Sequence, residues 1–142
     1  MFLLLLLLIG SVASETKMVF FGDVFCHVDN YSFAYRIAVV EEDWINSTRL
    51  ALGKPSFAYP PAASYSIEAT VSGGDGPNDD NYEIGFYVYH NCRSDRKDLY
   101  QVWISRFIVA SYPVKDGSTP RSFDFNLTDK GELSTDGVKI YD

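Results

Sequence analysis

Apolar and polar positions alternate with a period of two along most of the chain, the pattern of strands that bury one face. In MVFFGDVFCHVD (18–29), Phe20, Val24, Cys26 and Val28 share a face, while Asp23, His27 and Asp29 take the other. SFAYRIAVVEED follows after the Asp29-Asn30 break, and a hairpin between these two runs is expected. In SYSIEATVSGG, Tyr65, Ile67, Ala69 and Val71 alternate with Ser66, Glu68 and Thr70. YEIGFYVYH places Tyr82, Ile84, Phe86 and Val88 together, with Gly85 as a bulge or close-packing point. DLYQVWISRFIVASY is apolar on both faces, which suits a doubly covered strand or a strand preceded by a short helix. RSFDFNL and a terminal VKIY read as closing strands, and RLALGKPSFAYPPAAS as a short strand running into a proline-rich connection. Roughly seven or eight strands without an internal repeat predict an all-β chain folded as an antiparallel β-sandwich.

The first residues set the compartment. Phe2 to Ile9 form an apolar run too short to span a bilayer, and the small residues Ser11 to Ser14 suit signal-peptidase cleavage. Residues 1–14 are read as a signal peptide and 15–142 as one secreted, soluble domain, long enough to bury a proper core. An oxidising destination favours pairing the only two cysteines, Cys26 and Cys92. Three sequons, at Asn30, Asn46 and Asn126, become glycosylation sites in the same compartment where they lie on the surface. Asn46 stands in the polar stretch EEDWINSTR and Asn30 in a turn-like one, whereas a strand partly shields Asn126.

Charge narrows the partners. Nineteen acidic against twelve basic residues leave a net charge of −7, which argues against nucleic acid and against electrostatic adhesion to anionic lipid. Arg93, Arg96 and Lys97 form the only compact basic group, and a solvated turn explains it as readily as a membrane contact. Ten Tyr, ten Phe and two Trp fit β structure. Tyr87, Tyr89, Tyr100 and Trp103 are candidate outward contacts, with core packing as the competing account.

Catalytic chemistry finds little support. Cys92 with His90 as its base needs a free thiolate and a third group to orient the base, and a disulfide removes the thiolate. Two histidines without ligand spacing make no metal site. GGDGPNDDN (73–81) resembles a calcium loop only in acidity, because Phe86 stands where a bidentate Glu is required. No nucleophile elbow or zinc helix is visible, and no cofactor is expected.

Gly22-Asp23-Val24-Phe25-Cys26 resembles the Gly-x-Leu-x-Cys opening of the nematode transthyretin-like proteins. Tyr87 to Cys92 is similar to their strand ending in His-x-Cys. Phe123-Asp124-Phe125 with Gly131-Glu132-Leu133 is similar to their closing strand and Gly-x-x-x-Leu element. A second cysteine pair and an Asp-x-x-Gly-x-Phe turn, usual in that family, are absent. The resemblance implies a transthyretin-like sandwich and an extracellular binding or signalling role. Related proteins that hydrolyse 5-hydroxyisourate end in Tyr-Arg-Gly-Ser, whereas this chain ends Lys139-Ile140-Tyr141-Asp142. The expected function is therefore non-enzymatic: a secreted module engaging a protein or a small apolar or lipid ligand. The alternative is a protein bridging a membrane surface to a receptor.

Overall fold

Alternation decides the first strand. β1 (Glu15–Phe25) buries Thr16, Met18, Phe20 and Val24 and turns Glu15, Lys17 and Phe21 to solvent. The chain is described from a computed structural model over residues 15–28, 32–42, 46–72, 81–113 and 117–141. The remaining strands are β2 (Phe33–Glu42), β3 (Ser47–Leu52), β4 (Ser56–Ala58), β5 (Ala62–Ser72), β6 (Asn81–His90), β7 (Trp103–Pro113), β8 (Gly117–Ser122), β9 (Phe125–Asn126) and β10 (Glu132–Leu133). No helix occurs among the described residues. The long apolar segment therefore becomes a turn at 98–102 followed by β7, which answers the helix-or-strand question in favour of the strand.

Two sheets form. The larger has the order β10-β7-β6-β2-β3, with β4 on the β2 edge, and all its pairings are antiparallel. The smaller places β1 between β5 and β8, with β9 continuing along β1 beyond β8. β1 and β5 run antiparallel, but β8 and β9 run parallel to β1, so the sandwich is antiparallel except at this seam. The expected hairpin between the first two runs does not form, because β1 and β2 lie in opposite sheets. β2 is buried along nearly its whole length and is a central strand flanked by β6 on one side and β3 and β4 on the other.

The inward faces meet in one aromatic core. The Phe20 ring stands edge-on to Phe86 at 4.9 Å between centroids and to Tyr112 at 5.6 Å, while Phe125 packs on Phe86, Phe107 and Tyr65. Tyr82, Ile84, Phe86 and Val88 all lie in it, as their spacing predicts. Gly85 sits at a register shift in the β6–β7 ladder, where a Cβ would press on Glu42 at 3.2 Å. Gly22 has a sharper reason: at φ +153° a Cβ would stand 2.1 Å from the Phe123 carbonyl oxygen, so the return of the chain at 123–124 requires glycine.

VKIY is not a strand. The segment after β10 crosses the outer face of the larger sheet, and Ile140 is buried there against Ala34, Ala38, Tyr89 and Ile104. It acts as a strap over a face that would otherwise expose apolar side chains.

Cys26, just beyond β1, is bonded to Cys92, just beyond β6, with Cα atoms 5.9 Å apart. The bond ties the two sheets at one end and closes 66 residues of chain, for which the loop-entropy relation gives about 4 kcal/mol. Replacing both cysteines by alanine is expected to lower unfolding free energy by that order, and Phe86→Ala by about 3–5 kcal/mol through the cavity it leaves. Urea midpoints at neutral pH check both.

Candidate functional site

The end of β6 brings together the residues that composition singled out. His90 is fully buried. Its Nδ1 lies 3.1 Å from the Cys92 backbone nitrogen and its Nε2 2.9 Å from Ser105 Oγ. An amide can only donate, so Nδ1 is the acceptor and the proton sits on Nε2, facing the serine. Burial, and secondarily the Arg93 guanidinium, push the imidazole down to about 3, so it stays neutral. Both ring nitrogens are thereby occupied and the Cys92 sulfur is in a disulfide, so this pair performs no nucleophilic chemistry. Among the described residues, no three His, Cys, Asp or Glu side chains come together to hold a metal.

Asn91, also buried, organises the outer face. Its Oδ1 accepts from the Ala34 amide at 2.8 Å, while its Nδ2 donates to Tyr141 Oη at 2.8 Å and to the Leu99 carbonyl at 3.2 Å. One side chain thus fixes β2, the turn before β7 and the end of the strap. The Ser134 amide donates to the Val102 carbonyl at 2.7 Å. Arg36 sends Nε to the Gly53 carbonyl at 2.6 Å and Nη1 to the Lys139 carbonyl at 3.2 Å. Tyr89 Oη donates to Asp136 Oδ2 at 2.6 Å. Burial alone would raise the Asp136 carboxyl, but hydrogen bonds from Tyr89, the Val138 amide and Ser134 outweigh it and hold the group below the usual carboxylate range. Burial, reinforced by Asp136, in turn lifts the Tyr89 phenol to about 12.

Between strap, β10 and turn lies an open groove of about 560 Å³. Its walls are Tyr100, Val102, Leu133, Val138, Ile140 and Tyr141, with Gln101, Ser134 and Lys139 supplying polar groups. Of the seven large apolar side chains exposed among the described residues, Tyr100 and Leu133 line this groove and Leu99 adjoins it. Tyr100 and Tyr141 meet edge-on at 5.8 Å, framing one end. Gly137, at φ +79°, has nothing within 4 Å of where a Cβ would be, so the wall stays open there.

The other sites named from sequence are dispersed. Asn46 is exposed, immediately before β3. Asn126 is also exposed, on β9, with its Oδ1 accepting from the Thr128 amide at 3.1 Å. Asn30, the leader 1–14 and loop positions 73–80 lie outside the described residues. Two members of the basic group are engaged within the fold, while Lys97 is exposed. Arg93 pairs with Asp95 at 2.8 Å and lies over Trp103, and Arg96 Nη1 donates to the carbonyls of Ser32 and Asn91. Of the four outward aromatics, Tyr100 is exposed and Tyr87 half-buried, whereas Tyr89 is covered by the strap and Trp103 is buried. The groove itself was missed because VKIY reads as a strand. The available signal was the apolar part of the outward face, Ala34 and Ala38 on β2 with Tyr87 and Tyr89 on β6, which calls for a cover.

The chain is similar to the uncharacterized protein B0416.7 of Caenorhabditis elegans, 29% identical over 107 residues, which cover 75% of this chain and 79% of that protein. No family model and no solved structure matches the chain. No helix among the described residues is long and apolar enough to cross a membrane.

The neutral His90 makes folding sensitive to acid. The unfolded chain takes up a proton near pH 6.5 that the folded chain refuses until about pH 3, so stability is complete above pH 6.5 and falls as pH drops through that window. At the limiting slope of about 1.4 kcal/mol per pH unit, the loss between pH 6.5 and 4 is at most about 3 kcal/mol. His90→Asn, whose amide oxygen can accept from the Cys92 amide, is expected to be less stable at pH 7 but to show a flatter profile. Urea midpoints from pH 7 to 4 measure the difference.

Proposed function

We propose that this chain is a secreted, extracellular binding module of transthyretin-like type that holds a small apolar or lipid-like ligand in the outer-face groove and performs no chemistry on it. The observation that carries the reading is the groove: mostly apolar, lipped by exposed Tyr100 and Leu133, and within the roughly 300–1,000 Å³ of small-molecule sites. The consumed His90–Cys92 pair supports binding over catalysis. The disulfide, the apolar leader and the three sequons support secretion. The transthyretin-like reading rests on the resemblance carried by Gly22, Cys26, His90 and Cys92.

Binding is tested with the neutral dye N-phenyl-1-naphthylamine. Its fluorescence is expected to rise saturably with one dye per chain, and Leu133→Arg to weaken the dye by about tenfold, since burying a leucine contributes about 1.5–3 kcal/mol. Leu133 is largely exposed, so the variant keeps its fold; unchanged affinity would count against the groove. Processing is tested separately by expression through a secretory pathway. Intact mass is expected to lack residues 1–14 and to fall on enzymatic removal of N-glycans, with Asn46→Gln removing one glycan.

A further inference from the structure

We infer that the ligand of this groove is an anionic amphiphile, an acyl or aromatic body ending in a carboxylate, and that Lys139 receives the head. The inference rests on the binding reading above and narrows it to a class of ligand. Ten residues line the groove and Lys139 is the only charged one among them. None of the chain's nineteen acids lines the groove, so Lys139 faces no competing carboxylate within its walls. The strap's own carboxylate, Asp136, does not line the groove and is engaged by Tyr89, Ser134 and the Val138 amide. Among the described residues no carboxylate lies within ion-pair range of Lys139. Its main chain is held by Arg36, so the stem of the ammonium starts from a fixed point.

Physical chemistry then selects the occupant. Val102, Val138 and Ile140 offer an apolar bed that rewards a hydrocarbon body. An ammonium beside such walls is less well screened than one in open water, so it interacts more strongly with a carboxylate that comes within reach. A cationic head would meet Lys139 unfavourably, and a neutral head would exchange water only for uncharged-acceptor hydrogen bonds with Lys139 and the polar groups of Tyr100, Gln101, Ser134 and Tyr141, a small net gain in an open groove.

The test compares dodecanoate, 1-dodecanol and dodecyltrimethylammonium, each below its micelle concentration, by displacement of N-phenyl-1-naphthylamine from the full chain. Dodecanoate is expected to bind about tenfold more tightly than dodecanol, and the trimethylammonium more weakly than either. Lys139→Met keeps the apolar stem and should bring dodecanoate within about twofold of dodecanol while leaving dodecanol unchanged; Lys139→Glu should reverse the order of the two ions. Lys139 is exposed, and an unchanged thermal midpoint certifies the fold of each variant. Equal binding of dodecanoate and dodecanol to the wild type, or an undiminished preference in Lys139→Met, overturns this inference and leaves the groove reading standing. Failure of every probe and of the dye to bind overturns both.

Discussion

The Cys26–Cys92 bond joins the end of β1 in one sheet to the end of β6 in the other, and the surrounding corner is built on it. The Leu127 amide donates to Phe25, and the Asp129 amide to Cys92, so the chain after β9 touches both sheets at the staple. His90 caps the Cys92 amide from beneath, and Ser94 donates twice to Asp129 Oδ1, at 2.6 and 2.7 Å. A sandwich with two open ends needs some device to fix how its sheets face each other. Here that device is covalent at one end and aromatic in the middle, where Phe20, Phe86 and Phe125 interlock.

Period-two alternation made the strands legible because each sheet has a definite inside. β5 obeys it strictly from Tyr65 to Thr70, and β6 places its even residues in the core. Cysteine arithmetic made the staple legible because only two cysteines exist. Pairing partners were less accessible. Alternation says which residues share a face but not which strand lies beside which, so it suggested a β1–β2 hairpin that does not form and gave no sign of the parallel seam. The groove escaped for a related reason: Val138 and Ile140 carry the same signal whether they enter a ladder or lie across one, and the choice depends on the uncovered face of β2 and β6. Four of the residues behind the resemblance have structural tasks. Gly22 admits the Phe123 carbonyl, Gly131 admits the Ile104 carbonyl, and His90 and Cys92 belong to the corner.

The strap gives the two faces of the larger sheet different characters. The inward face is sealed by the second sheet. The outward face is only partly covered, held by directed hydrogen bonds from Arg36, Tyr89 and Asn91 rather than by a ladder. That leaves room at its margin, where Tyr100 and Leu133 remain in contact with water.

The parallel seam also dictates an order of events during synthesis. Thr16 pairs with Gly117 and Phe25 with Asn126, so β1 receives its second neighbour only after about a hundred further residues have been made. At about 5–20 residues per second, that delay is on the order of 5–20 s. Until then β1 has only β5 to lean on, and a two-stranded ribbon is marginal in water. Among the strands that end with a neighbour on both sides, β1 therefore waits longest for its second one, with the edge that includes Met18 and Phe20 open to wrong partners meanwhile.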